Sequence, residues 1–144
     1  MPSRVTQRVE FECCYLLETE LNAHRYRFDV TVESDGPRRD KRYIISFQEL
    51  TDCMKKVVPD KSFLFDTTTY NVGKDIAFIL GSKGVKISGC PYMLSAENIC
   101  SAASQDLQRL LDDQFPGVKI VSSSLKETTG SFVSWRPNVT ITAN

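Results

Sequence analysis

The sequence holds one histidine and one tryptophan in 144 residues, and no surplus of either charge: 18 Lys and Arg side chains stand against 18 Asp and Glu. A balanced chain lacks the basic excess that binding to nucleic acid or an anionic membrane surface draws on, so neither partner is expected. No apolar run approaches the roughly 20 residues of a membrane-spanning helix. Residues Met1 to Arg8 contain no apolar stretch of the kind a secretion signal needs. Cysteine occurs five times, at Cys13, Cys14, Cys53, Cys90 and Cys100. The number is odd and no C-x-x-C pair exists, which argues against a disulfide framework and against a Cys-rich structural zinc site. Asn138-Val139-Thr140 is a glycosylation sequon that would be idle in the cytoplasm, the expected location. Glycine-rich phosphate loops and the G-x-S-x-G nucleophile turn are missing as well.

What is present is ordinary globular material, with 41% hydrophobic and 25% charged residues, enough for one domain over residues 1–144. From Val5 to Leu16, Val5, Val9, Phe11 and Cys13 share one parity. From His24, the residues His24, Tyr26, Phe28, Val30 and Val32 share a face, while Arg25, Arg27, Asp29, Thr31 and Glu33 share the other. Both segments are expected as strands. A charged loop covers 34–42. Phe47, Leu50, Met54, Val57 and Val58 then fall at helical spacing, and Pro59 ends that helix. The segments Asp75–Leu80 and Val85–Ser88 flank Gly81-Ser82-Lys83-Gly84 and are expected as a hairpin. A second helix is expected from Ser95, its N-cap, to Gln114, with Ile99, Ala103, Leu107, Leu110 and Leu111 inward. Strands at Val118 to Glu127 and Ser131 to Trp135 close the chain. The fold class is therefore α+β: a four-stranded antiparallel sheet, two helices on one face and an inserted hairpin. Apolar residues at Tyr26, Phe28 and Val30 and at Phe132 and Trp135 suggest that both sheet faces are apolar in places, which points to self-assembly.

Four islands, in order, resemble the 6-pyruvoyltetrahydropterin synthase and 6-carboxytetrahydropterin synthase family, the tunnelling fold. They are Phe11-Glu12-Cys13-Cys14-Tyr15 (family F-x-A-A-H), Asn22-Ala23-His24-Arg25-Tyr26 (H-G-H-N-Y), Asp60 to Asp66 (D-H-x-x-L-N-D) and Leu94 to Ile99 (P-T-A-E-N-I). Lys126-Glu127-Thr128 then matches the E-T that ends the third core strand. The resemblance implies assembly of the sheets into a barrel, as a trimer or a pair of stacked trimers, with sites between subunits.

It also implies roles for particular residues. The family's three zinc-binding histidines fall on Tyr15, Asn22 and His24, an incomplete ligand set, so no metal cofactor is expected; Cys13, on the same strand parity as Tyr15, is a further candidate donor. Without a metal, His24 is a ligand-binding or hydrogen-bonded inward residue. The family's nucleophilic Cys before H-G-H is absent, and Glu18 or Glu20 takes its place as candidate base. Asp60 keeps the Asp of D-H and Lys61 replaces its His, making Asp60, Lys61 and Glu18 the catalytic candidates for proton transfer. Glu127 falls on the family's pterin anchor, with Thr128 beside it. A carboxylate takes two adjacent N–H donors of a 2-amino-4-oxo ring as a fork, and guanine offers the same edge.

Three functions follow as expectations. The first is a 6-pyruvoyltetrahydropterin synthase-like binder of a pterin or guanine-like ligand, its parent reaction lost or altered. The second is a divergent carbon–oxygen lyase acting on a dihydroneopterin triphosphate-like substrate. The third is a non-catalytic oligomeric scaffold.

Overall fold

The computed structural model describes residues 3–34 and 45–137, and the backbone of 142–143. Most of the charged loop 34–42 and the sequon at 138–140 lie outside the described residues. Two strands of fifteen residues, β1 (Ser3–Leu17) and β2 (Glu20–Ser34), pair antiparallel without a break in register, Ser3 opposite Ser34 and Leu17 opposite Glu20. Their link is two residues long, and Glu18 takes a left-handed backbone (φ 58°), as tight hairpin turns of right-twisted strands demand.

After this hairpin come α1 (Phe47–Val57), β3 (Ser62–Asp66), α2 (Val72–Ser82), β4 (Ile87–Cys90), α3 (Ala96–Gln114), β5 (Lys119–Glu127), β6 (Phe132–Trp135) and β7 (Thr142–Ala143). The sheet order is β4-β3-β1-β2-β5-β6-β7. The expected four-stranded antiparallel core is present as β1, β2, β5 and β6, and the sheet extends beyond it on both sides to seven strands.

The two expected helices start where their caps direct. The Ser46 hydroxyl accepts from the Glu49 N–H while the Glu49 carboxylate accepts from the Ser46 N–H, a capping box. Ser95 Oγ accepts from the Asn98 N–H at the head of α3. Leu50, Cys53 and Met54 of α1 and Ile99, Cys100, Leu107 and Leu111 of α3 are buried against Val9, Phe11, Tyr26, Phe28, Val30, Val32, Ile120 and Leu125 of the sheet.

The inserted hairpin is a correction. Residues 75–80 belong to α2, whose N-cap Asn71 accepts from the Lys74 N–H at 3.0 Å. Neighbouring β3 and β4 run parallel, and two parallel strands need a crossover rather than a tight turn. α2 supplies it. Its apolar residues face both ways, Ala77 buried and Phe78 and Ile79 exposed. An all-round apolar run shows neither the strand nor the helix period, which is why it reads as a strand.

The sheet face opposite α1 and α3 is mostly charged, not apolar. Arg4 pairs with Glu33 (2.9 Å), Arg25 with Glu10 (3.0 Å) and Arg27 with Asp29 (3.2 Å), with Thr6 and Thr31 hydroxyls 2.8 Å apart between them. Phe132 is its exposed apolar residue on β6, while Trp135 packs against the core. No described helix is long and apolar enough to cross a membrane.

Two outcomes are expected. Leu107→Ala empties a fully buried site and lowers unfolding free energy in urea by about 2–5 kcal/mol. Burial pushes the Cys100 thiol from 9.0 up to about 11, so its neutral form stabilises the fold fully below pH 9, and that contribution is lost as pH rises towards 11. Stability measured across this window should fall, and Cys100→Ala should flatten the slope by on the order of 2 kcal/mol; an unchanged slope would refute the assignment.

Candidate functional site

The β1–β2 register fixes what shares a face. Tyr15 lies opposite Asn22 and Cys13 opposite His24, and antiparallel pairing puts all four on the helix-covered side with Tyr26. Tyr26 in turn lies opposite Glu127, the last residue of β5. The chain thereby gathers Tyr15, His24, Tyr26 and Glu127 at one end of the helix face. His24 Nε2 stands 3.9 Å from Glu127 Oε1, with both side chains about one-fifth to one-quarter exposed (25% and 19%). The His24 ring meets Tyr26 edge-on at 5.7 Å.

The Glu127 carboxylate is held by the turn that follows it. Thr129 Oγ1 donates to Glu127 Oε2 at 3.1 Å, and the Gly130 N–H donates to the Glu127 carbonyl at 3.0 Å. Gly130 has φ 102°, which a side chain would strain, and this lets the three-residue link 128–130 close back on Ser131. Thr128 is exposed and contributes its N–H to the Arg25 carbonyl (3.2 Å).

Two phenols floor the site. Burial raises the pKa of Tyr15 and, further, that of Tyr26, so both are neutral O–H groups at physiological pH. Their hydroxyls are close enough to shift each other in opposite directions. The buried Tyr26 Oη is otherwise left without a hydrogen-bond partner. Glu97, in the first turn of α3, acts electrostatically on Tyr15. The sequence marks Glu97 as a helix-start acid; its second place, beside the site, follows from α3 crossing the sheet end there. Tyr26 was legible as a core residue but not as a site residue.

The donors do not fit a zinc ion. The three positions offer one imidazole, one phenol and one amide, and the Asn22 amide is turned to the Glu20 carbonyl (3.2 Å). Burial is the first cause that pushes the Cys13 thiol from 9.0 up to about 12, with Cys14, Cys90 and Asp60 adding to it. Among the described residues, no group of three or more His, Cys, Asp or Glu side chains is placed to hold a metal.

The three catalytic candidates are not brought together with this site within one chain. Asp60 Oδ1 accepts from the Glu12 N–H (3.0 Å) and the Lys61 N–H donates to the Glu12 carbonyl (2.6 Å). Together they start the β3 pairing on the far edge of β1, and Cys13 lies opposite Ser62 just beyond. Three strand spacings, about 14 Å, separate that edge from β5, and Lys61 falls on the other face, beside Glu12. Glu18, exposed at the hairpin tip, is six residues along β1 from Glu12, roughly 20 Å away.

Such a sheet, with two helices on one face and a carboxylate at the end of its third core strand, defines an α+β domain of the tunnelling type. A family model described as 6-pyruvoyl tetrahydropterin synthase matches residues 4–138, and the chain belongs to that family. Among solved structures it is similar to the uncharacterized protein WS1659 of Wolinella succinogenes (TM-score 0.72, 15% identity, 96% of this chain and 99% of that one). It is similar also to the 6-pyruvoyl tetrahydropterin synthases of Plasmodium vivax (0.70, 14%, 96% and 99%) and Plasmodium falciparum (0.57, 16%, 94% and 98%). No curated protein sequence matches it.

The unpartnered Tyr26 hydroxyl generates a prediction. Tyr26→Phe removes a buried polar group that makes no hydrogen bond, so stability in urea should stay level or rise by up to about 1 kcal/mol. A loss beyond about 1.5 kcal/mol would mean that the hydroxyl has a partner.

Proposed function

We propose that this protein binds a pterin or a guanine-like ring through Glu127, and that the zinc-dependent reaction of its family is lost or altered in it. The observation that carries the reading is the state of that carboxylate. It is largely buried, pinned at one oxygen by Thr129 and turned towards His24 rather than into solvent. Glu127 takes the two adjacent N–H groups of the ring, His24 and the neutral Tyr15 hydroxyl stand at its flank, and Thr128 contributes from the turn. A charged hydrogen bond is worth about 1.5–3 kcal/mol, so the fork supplies most of the selectivity for this edge.

The donor set supports the absence of zinc, since a lone imidazole beside a phenol and an amide does not hold the ion against water. Turnover by Asp60, Lys61 and Glu18 as a divergent carbon–oxygen lyase would need a second copy to bring Lys61 to the ring. The assembly proposed here is a trimer or hexamer with its sites between subunits. The five free thiols agree with a cytoplasmic location.

The test is a thermal-shift series with neopterin, biopterin and guanosine on the wild type and on Glu127→Gln. The wild type should be stabilised by at least one of these ligands. The variant should keep its ligand-free melting temperature within about 2 °C and lose at least tenfold in affinity, the equivalent of about 1.4 kcal/mol. A shift that survives the substitution overturns the anchor. No shift with any ligand favours the scaffold, product formed from dihydroneopterin triphosphate favours the lyase, and stoichiometric zinc in the purified protein overturns the metal-free reading.

A further inference from the structure

The sheet face opposite α1 and α3 is charged along most of its length, with one interruption. Cys14 lies opposite Ala23 on one side and Phe63 on the other, so a row of two small residues and one ring crosses three strands there. Leu80, near the end of α2, and Val85, just after it, flank that row and bound an open cleft of about 410 Å³. That size lies within the range of small-molecule pockets, and its walls are mainly apolar. The volume exists because residues 14 and 23 are small: an aromatic side chain at either position would fill it.

The mouth carries the charges. Lys61 is exposed and its ammonium has no ion-pair partner among the described residues, while its backbone sits in the left-handed region (φ 54°), fixed by the N–H bond to Glu12. Left-handed non-glycine residues persist where the surroundings over-determine them. Arg25, also at the mouth, is already neutralised by Glu10. The Glu12 carboxylate, on the same rim, disfavours a second negative charge on any ligand that reaches Lys61.

We infer that this cavity is a second ligand site, separate from Glu127 and on the other side of the sheet, for a compact aromatic or branched monocarboxylate. The apolar body lies on the Ala23–Cys14–Phe63 row beside Leu80 and Val85, and the carboxylate meets Lys61. Dianions are disfavoured by Glu12, and neutral or cationic analogues lack the Lys61 contact.

The cavity contains its own reporter. Cys14 is partly exposed, whereas Cys13, Cys53, Cys90 and Cys100 are buried. Iodoacetamide labelling of the full chain, read by peptide mass spectrometry, should modify Cys14 first, and phenylacetate should slow it severalfold. Benzylamine, benzyl alcohol and phenyl phosphate should slow it less. Ala23→Phe, on an exposed strand position, should abolish the protection by filling the cavity. Lys61→Gly, which suits a left-handed backbone, should weaken it at least fivefold. Equal labelling rates with and without phenylacetate overturn the site. Protection unchanged in Ala23→Phe overturns the location, and protection unchanged in Lys61→Gly overturns the charge assignment. Should Cys14 react too slowly to follow, saturation-transfer NMR of phenylacetate with the wild type and both variants decides by the same criteria. Glu127→Gln should leave all of these results unchanged, so failure here and failure at the ring anchor are distinguishable.

Discussion

Register between β1 and β2 is the constraint on which the rest of the molecule depends. A slip of β1 by one residue against β2 would carry Val9, Phe11, Cys13 and Tyr15 out of the core and put Arg8, Glu10, Glu12 and Cys14 in their place. The apolar faces make such a slip prohibitive, and the two-residue turn pins the count from the other end. The same register decides the chemistry. It sets Tyr15 against Asn22 and His24 against Cys13, and through the β2–β5 pairing it brings Glu127 to the same side. Core and site are two readings of one alignment.

That alignment also separates charges by role. The helix face keeps one imidazole and the Glu127 and Glu97 carboxylates near two neutral phenols, whereas arginines and their acidic partners line the opposite face. Asp60 illustrates how a chemically capable residue can be spent on architecture: its carboxylate serves as a surrogate strand partner for Glu12. A buried or bonded acid of this kind orients backbone, and its reach towards a substrate is limited by the edge it holds.

Much of this was legible in the sequence, and the reasons differ by element. Strict alternation over residues 24–33 marks β2, because one face is apolar and the other is ionic. Ser95 marks the start of α3 through chemistry that acts within four residues. The islands around Tyr15, His24, Asp60 and Glu97, with the match at Glu127, place the family, and the match over residues 4–138 agrees. Residues 75–80 read as a strand because the apolar run 76–80 is continuous, and their helical state is imposed by two parallel strands distant in sequence. The sheet side of Lys61 depends on how β3 docks to β1, and no local pattern encodes that. The role of Glu97 beside Tyr15 likewise depends on where a helix ends in space.

The link between β1 and β2 has a further consequence. Two residues leave no slack, so this tip cannot fold back over a bound ring, nor carry a side chain from solvent to the base of the sheet. Among the described residues, the elements beside the Glu127 side chain are the head of α3 and the bend at 128–130. Among the described residues the hairpin tip therefore supplies no lid to the Glu127 end of the sheet, whose shape is set by the rigidity of paired strands.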